Sequence, residues 1–259
     1  MTVLLDVRSV TKVFRQIRAL DGISMAVGTG EVVGLIGPNG AGKTTLLSVL
    51  AGLLAPTSGT VAYEPEMSVR RPLESCLGFA SPETPMFDYL TGTEVLQACG
   101  AVHGLSRDVA ASRTSELFAL FELRGVSERY VYEYSQGTRQ KLSLCAALLH
   151  DPALLLLDEP FDGLDPTTSY RLTSLLTRLA GPGRAVVVSS HDLGLVERIC
   201  TRVLILNAGA IVHTSETSAT DRARRRPSGA EDGQSLEQLM WKVVGQPEEK
   251  RLSWVESAS

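Results

Sequence analysis

Short apolar segments alternate with helix-length segments along most of this chain. The apolar segments are rich in β-branched and aliphatic residues and lie at 3–10, 32–37, 154–158, 185–190 and 203–206. Strands that are apolar on both faces are typical of a parallel sheet that is covered by helices on both sides. The pattern therefore predicts an α/β fold with a mostly parallel sheet.

The pattern changes between residues 74 and 150. Helical periodicity recurs there in three segments, 93–103, 107–123 and 138–150. No comparable β-rich segment separates them. We therefore predict that residues 74–150 form a helical lobe, inserted into an α/β core made of residues 1–73 and 151–213.

The chain after residue 213 is predicted to leave the core. Residues 214–234 are rich in Ser, Thr, Gly and Arg, with four arginines between Arg222 and Arg226. This composition favours a solvated flexible linker; a basic strip that touches anionic lipid is the alternative. After a potential cap at Ser235, apolar residues recur at helical spacing: Leu236, Leu239, Met240, Val243 and Val244. They predict a short amphipathic helix within residues 235–259, which end in a tail.

Composition and charge exclude several classes of protein. The 259 residues include 25 Lys and Arg against 29 Asp and Glu, a net charge of −4, so bulk positive charge cannot drive binding to nucleic acid. The longest apolar runs, 145–149 and 153–157, have five residues, whereas a membrane-spanning helix needs about 20. The first residues lack the apolar stretch of a secretory signal. We therefore expect a cytosolic chain with no transmembrane segment, unless a partner tethers it to the membrane.

The cysteines are isolated in the sequence. Cys76, Cys99, Cys145 and Cys200 form no Cys-x-x-Cys pair. This spacing favours reduced cysteines in the core over a disulfide framework or a zinc site.

The strongest chemical motif follows the apolar segment at 32–36. It fits the pattern Gly-x4-Gly-Lys-[Ser/Thr] and opens a helix-forming stretch. Its predicted nucleotide-binding residues are Gly37, Asn39, Gly40, Ala41, Gly42, Lys43, Thr44 and Thr45. Glycines let consecutive backbone N–H groups point at phosphate oxygens, and the helix dipole adds positive potential. We expect Lys43 to reach the terminal phosphates of a nucleoside triphosphate and the Thr44 hydroxyl to ligate Mg²⁺.

Two acids directly follow the apolar run 153–157. Both Asp158 and Glu159 can address one site only if the strand ends there, because neighbouring side chains of a strand point to opposite faces. Pro160 favours such an ending. We interpret Asp158 as the carboxylate on the Mg²⁺ side and Glu159 as the base that polarises the attacking water. The alternative is a solvated acidic turn.

Together these motifs resemble those of the ATP-binding cassette (ABC) ATPases, in particular the nucleotide-binding subunits of bacterial exporters. Further segments occur in the family's order. Residues 134–141 resemble the signature sequence, residues 163–165 resemble the D-loop, and His191 resembles the switch histidine. Phe14 lies where the family has an aromatic residue that stacks on adenine. The alternative for His191 is an ordinary surface residue, and for Phe14 a core residue.

The resemblance implies a P-loop NTPase core with an N-terminal β subdomain and the inserted helical lobe. It also implies ATP and Mg²⁺ as cofactors and a pair of cassettes that close head-to-tail over two ATP molecules. The second cassette is either an identical chain or a related one. In such a pair Ser135, Gln136 and Gly137 of one subunit contact the nucleotide held by the phosphate loop of the other. His191 is implied to bond the γ-phosphate and hold the water near Glu159.

The signature-like segment can also be interpreted from physical chemistry, without the resemblance. Ser135 and Gly137 precede a predicted helix, whose free N–H groups favour an anion. Arg139 and Lys141 lie in the first turn, where positive charge is unfavourable, and a bound anion would offset that cost. The alternative is an ordinary Ser-capped helix with solvated bases.

The sequence departs from the common family pattern at three positions. Gln136 replaces glycine and Thr138 replaces glutamine in the signature segment, which we expect to tune the contact with nucleotide. Glu83 stands where the family usually has the glutamine of the Q-loop. A carboxylate can still ligate Mg²⁺ or accept from its water, but it cannot donate a hydrogen bond. The alternative is a plain loop acid flanked by prolines.

The resemblance implies an ATP-hydrolysing subunit at the cytoplasmic face of the membrane that powers export through a separate permease. In the family, the neighbourhood of residues 85–92 receives a cytoplasmic helix of the permease; its Met and aromatic residues are equally compatible with a core role. The alternative function is a soluble ABC ATPase that remodels nucleic acid or ribosomes. Proteins of that class usually carry two cassettes or long coiled-coil insertions, and this chain has neither.

Overall fold

The computed structural model describes residues 2–64, 75–216 and 236–244 and contains two sheets. The strands are β1 Val3–Phe14, β2 Ile17–Gly28, β3 Val32–Ile36, β4 Ser58–Tyr63, β5 Leu77–Ala80, β6 Leu154–Leu157, β7 Ala185–Ser189, β8 Arg202–Asn207 and β9 Ala210–Glu216. The helices are α1 Lys43–Leu50, α2 Gly92–Val102, α3 Arg107–Leu120, α4 Gln136–Leu149, α5 Pro166–Leu179, α6 Leu193–Ile199 and α7 Leu236–Val244.

A six-stranded sheet forms the centre of the core, in the order β5-β6-β7-β3-β8-β9. All neighbours in it are parallel except the β8–β9 hairpin at one edge. Every residue of β3, β6 and β7 is buried, because both faces of the sheet are covered. Helix α1 and strands β1 and β2 pack on one face, and the other helices of the core and lobe pack on the opposite face. The predicted α/β fold with a mostly parallel sheet is confirmed.

A second sheet of three antiparallel strands, β2-β1-β4, forms an N-terminal β subdomain. The N-terminal β subdomain that the family resemblance implies is therefore confirmed. The apolar pattern alone had grouped residues 3–10 with the parallel sheet, and that grouping is wrong. A two-residue turn follows Phe14, with Arg15 in the left-handed region at φ 54°. Because the turn is so short, β2 runs back beside β1, and the two strands form an antiparallel hairpin.

The helical lobe consists of α2, α3 and α4 and begins later than the sequence suggested. Residues 77–80 fall within the predicted lobe, yet they form β5, which pairs with β6 in the core sheet. Helix α3 ends at Leu120 rather than 123, and Glu122 beyond it has φ 59°. Helix α4 begins at Gln136 rather than 138, because Ser135 caps it by accepting a hydrogen bond from the Thr138 N–H.

The C-terminal helix α7 lies against α6. Leu236 is buried, and its backbone N–H donates to Glu197 at 2.7 Å. Leu239, Met240 and Val244 pack on the core, which confirms the predicted amphipathic helix. Strand β9 runs to Glu216, so the first three residues of the predicted linker are strand. Its remainder, the cap Ser235 and the tail beyond 244 lie outside the described residues.

The four cysteines, all within the described residues, form no disulfide, and Cys76, Cys145 and Cys200 are buried, as the isolated spacing predicts. Among the described helices, none is both long and apolar enough to span a membrane.

Candidate functional site

The phosphate loop joins β3 to α1 at the centre of the core sheet. Gly42, which precedes the first turn of α1, has φ 105°, and a Cβ there would lie 2.6 Å from the Ala19 oxygen. Glycine is therefore required both for the backbone conformation and for the approach of β2. Gly37 and Ala41 are buried, whereas Asn39 and Gly40 are exposed at the mouth of the loop.

Lys43 lies inside this loop and is only 7% exposed. Its ammonium donates to the Gly37 oxygen at 2.8 Å and lies 3.8 Å from Glu159 Oε1. A buried ammonium held by carbonyl groups is ready to meet phosphate oxygens. Thr44 beside it is exposed and Thr45 is half-buried.

The acid pair lies where β6 ends. Glu159 has φ 43°, so the strand stops and both acids can serve one site. Asp158 is 3% exposed, which argues against the alternative of a solvated turn. Ser189 Oγ donates to Asp158 Oδ1 at 2.6 Å and accepts from the Glu159 N–H at 2.8 Å.

Glu159 faces His191 across the end of the sheet. Glu159 Oε2 accepts from the His191 N–H at 3.2 Å and lies 3.1 Å from His191 Nδ1. Asp162 Oδ1 is 3.7 Å from the same nitrogen. Lys43, Glu159 and His191 therefore meet at one place, although they come from three separate segments.

Asp158 has the properties of a ligand for a divalent cation. A buried carboxylate requires compensation, yet no Lys, Arg or His of the described chain forms an ion pair with it. Carboxylate and hydroxyl oxygens suit Mg²⁺, so Asp158 and Thr44 fit the ion. Glu83 is exposed, and its N–H donates to Ser81 Oγ. Glu83 and Thr44 line the same cavity of about 500 Å³.

That cavity, which we call the lobe cavity, lies between the end of α1, the loop after β5, and helices α2 and α4. Its wall also includes Leu53 and two histidines, His103 and His150, whose rings stack at 3.8 Å. Burial, together with the charge of His103, lowers the pKa of His150 to about 4, so this ring is neutral at pH 7.

The signature-like segment lies at the N-terminus of α4. Ser135 and Gln136 are exposed, whereas Gly137 touches the D-loop-like segment. Both bases of the first turn have an acidic partner within the chain, which our reading of the sequence did not foresee. Arg139 pairs with Asp88 and Lys141 with Asp165, each at 2.8 Å. The hydrogen bond from Lys141 is the main reason that the pKa of Asp165 lies well below its usual range.

Gly137→Ala is expected to lower the free energy of unfolding by about 1–3 kcal/mol, the usual cost of overpacking. The new Cβ would lie 2.5 Å from the Gly163 oxygen. Denaturant unfolding would measure the loss. Gly125→Ala is the control, because a Cβ there meets nothing within 4 Å. Equal stabilities of the two variants would contradict the close contact.

Phe14 lies at the tip of the β1–β2 hairpin and is 43% exposed. The alternative of a core residue is therefore wrong. The Lys12 ammonium lies 5.1 Å from the centre of its ring. Phe14 pairs with Ile17 of β2. Two residues further along β2, Ala19 lies against Gly42 of the phosphate loop.

Sequence reasoning missed three residues that contact Glu159 or its partners. They are Ser189, Asp162 and Gln140. The side-chain amide of Gln140 donates to the backbone carbonyl oxygen of Glu159 at 3.4 Å. Ser189 was visible only as part of the segment that contains His191. Its role depends on the register of β6 and β7, in which Leu157 pairs with Val188. Gln140 lies within the signature-like segment 134–141, but no role was assigned to it, and no local motif marks Asp162.

Comparison with known proteins places the chain in a family. The family profile described as ABC transporter matches residues 20–162, more than half of the chain. An uncharacterized ABC transporter ATP-binding protein of Nostoc is 36% identical over 76% of this chain, which spans 60% of that protein. The ABC transporter ATP-binding protein NatA of Bacillus subtilis is 34% identical, with 76% of this chain and 81% of NatA covered.

A third relative is the Nod factor export ATP-binding protein I of Cupriavidus metallidurans, 33% identical over 81% of this chain and 70% of the relative. Among solved structures, an ATP-binding subunit of an ABC transporter superposes with a TM-score of 0.78 and 28% identity, covering 93% of this chain and 99% of that one. A dimeric cassette bound to ADP and phosphate has a TM-score of 0.75 at 24% identity, with 83% and 100% covered. With this fold, phosphate loop and acid pair, the chain belongs to the ABC transporter family and is one of its ATP-binding, ATP-hydrolysing subunits.

Proposed function

We propose that this chain dimerises on ATP and powers export through a separate membrane permease, at whose cytoplasmic face it binds. The observation that carries the catalytic part is the meeting of Lys43, Glu159 and His191 at the end of the core sheet. Water attacks the γ-phosphorus while the Glu159 carboxylate takes its proton, and the bond to the β-phosphate oxygen breaks. Lys43 holds the terminal phosphates, and His191 orients the water and the γ-phosphate.

Mg²⁺ belongs to this proposal as the ion that neutralises charge on the phosphates, held by Asp158 and Thr44 with Glu83 at the edge of the site. Asn39, Gly40 and Thr45 complete the phosphate contacts, and Phe14 stacks on the adenine.

The position of the signature-like segment supports dimerisation. Ser135 and Gln136 are exposed at a helix N-terminus, and no described residue of the phosphate loop bonds to them. A second copy or a related cassette would supply the phosphate that they contact. The dimeric relative bound to ADP and phosphate has the same fold. ATP binding to the closed pair and hydrolysis that reopens it would supply the mechanical work, because ATP shifts the equilibrium by its preference for the closed state.

The lobe cavity supports a permease as the partner. It opens at the junction of core and lobe, beside the neighbourhood of residues 85–92 that we associated with a permease helix. Leu53 on its wall and Phe87 nearby are 67% and 68% exposed. Large exposed apolar side chains around a cavity are typical of a surface that receives a partner. Export as the direction rests on the name of the Cupriavidus relative.

The experiment is photo-crosslinking in the cells that produce the protein. A photoreactive residue replaces Leu53 in the lobe cavity, and in a matched control it replaces Tyr170 on α5, which is 75% exposed. After detergent extraction of the membranes, the Leu53 probe is expected to be joined to an integral membrane protein, and the Tyr170 probe is not. Crosslinks to ribosomal protein or nucleic acid, or equal yields at both positions, would contradict the proposal.

A further inference from the structure

One hydroxyl group connects both acids of the site. Ser189 is fully buried at the end of β7. Its Oγ donates to Asp158 Oδ1 at 2.6 Å and accepts from the Glu159 N–H at 2.8 Å. A hydroxyl can do both at once, because it has one proton and two lone pairs. The Ser189 side chain therefore ties together the proposed metal ligand and the proposed base.

The Asp158 carboxylate depends on this contact for its orientation. Oδ1 is occupied by the Ser189 hydroxyl, and within the described chain Oδ2 accepts no hydrogen bond from a side chain or backbone group. The Ser189 hydroxyl fixes the plane of the carboxylate and leaves Oδ2 available. Partners that hold a metal-binding carboxylate in place affect both metal affinity and activity.

The Glu159 backbone depends on it as well. A φ of 43° is unfavourable for a residue with a side chain, so the surrounding contacts must maintain it. The Ser189 hydroxyl accepts from the Glu159 N–H. The backbone carbonyl oxygen of Glu159 accepts from the Gln140 side-chain amide at 3.4 Å and from the Asp162 N–H at 3.2 Å. Loss of the hydroxyl would leave a partly buried N–H without this partner and loosen the turn that aims the carboxylate.

We propose that Ser189 is a positioning residue of the ATPase, whose hydroxyl sets the metal-binding geometry of Asp158 and the aim of Glu159 together. The proposal rests on the metal role that we propose for Asp158. If Ser189 has this role, loss of its hydroxyl lowers metal affinity and turnover together. Binding of nucleotide in the absence of metal is retained.

Ser190 offers a matched control. It is equally buried, and its Oγ accepts from the Asp192 N–H at 3.0 Å, but it has no hydrogen bond to either acid. Ser190→Ala therefore removes a buried hydroxyl and one hydrogen bond from the same strand end without touching Asp158 or Glu159. Any effect of a lost buried hydrogen bond alone would appear in both variants.

The test compares Ser189→Ala, Ser189→Thr and Ser190→Ala. Electron paramagnetic resonance titration with Mn²⁺, used as a probe in place of Mg²⁺, measures metal affinity of the ATP-loaded chain, and phosphate release measures turnover. Ser189→Ala is expected to lower both by about 10- to 100-fold, which is typical for partners of metal ligands. Ser189→Thr keeps the hydroxyl and is expected to restore both. Binding of fluorescent ATP in the presence of EDTA is expected to match that of the unchanged chain.

Equal Mn²⁺ affinity in Ser189→Ala and Ser190→Ala would overturn the proposal, and so would loss of ATP binding in EDTA by Ser189→Ala. If Ser189→Ala does not fold, Ser189→Cys replaces it: a thiol is a weak donor, so full Mn²⁺ affinity in that variant would also overturn the proposal. Asp158→Asn distinguishes failure of the proposed metal role of Asp158 from failure of the positioning role of Ser189. If it leaves Mn²⁺ affinity unchanged, the metal role of Asp158 is wrong; if it alone lowers the affinity, only the role of Ser189 is wrong.

Discussion

Glu159→Gln is expected to lower ATP turnover by about 10²- to 10⁴-fold, the usual contribution of a general base. The amide keeps the shape of the side chain and can still accept from the His191 N–H, but it cannot take a proton from water. ATP binding is expected to persist, because Lys43 and the phosphate loop are unchanged. The ATP-bound dimer should therefore accumulate, since hydrolysis no longer reopens it.

Phosphate release from ATP measures turnover. Light scattering after size exclusion, with and without ATP, measures the fraction of dimer. The control is Glu116→Gln, which makes the same change of charge on the exposed side of α3. It is expected to have the turnover of the unchanged chain and no persistent dimer. Turnover near that of the unchanged chain in Glu159→Gln would contradict the assignment of the base.

Contiguous motifs explain how the sequence could point to the candidate nucleotide site. Lys43 and the glycines around it occupy one loop, so their spacing encodes the strand, loop and helix together. The acid pair follows a run that is buried on both faces, and the same run predicts where the strand ends. In both cases the residues that determine the local backbone are the residues that carry the chemistry.

Contacts between distant segments explain what the sequence did not reveal. Ser189 meets Asp158 because β6 and β7 are adjacent with a particular register, and no local pattern encodes which strands are neighbours. The pairs Arg139–Asp88 and Lys141–Asp165 have the same origin. The sequence suggested either a bound anion or solvent around the two bases, because their acidic partners lie far away along the chain.

Short elements explain the errors in the fold. Strand β5 has four residues, which is too few to produce a clear periodic signal within the predicted helical lobe. The segment 3–10 does have a strand pattern, but the pattern does not specify its sheet. A tight turn at Arg15 determines that, by sending the next strand back beside it.

Separation into monomers is expected to abolish ATP hydrolysis. The phosphate loop and Glu159 lie in one chain, whereas Ser135–Gly137, the proposed second half of each site, would act on the nucleotide of another chain. Ser135 and Gln136 of this segment are exposed. A single chain therefore binds ATP without enclosing it. Because the dimer dissociates by mass action, the loss depends on protein concentration.

The most direct test is the specific ATPase activity measured across a dilution series at saturating ATP, with the fraction of dimer followed by light scattering. Activity per molecule is expected to fall in proportion to the dimer fraction, and two copies joined by a long flexible linker should retain activity on dilution. Constant activity per molecule in a preparation that is monomeric throughout would contradict a composite site shared by two chains.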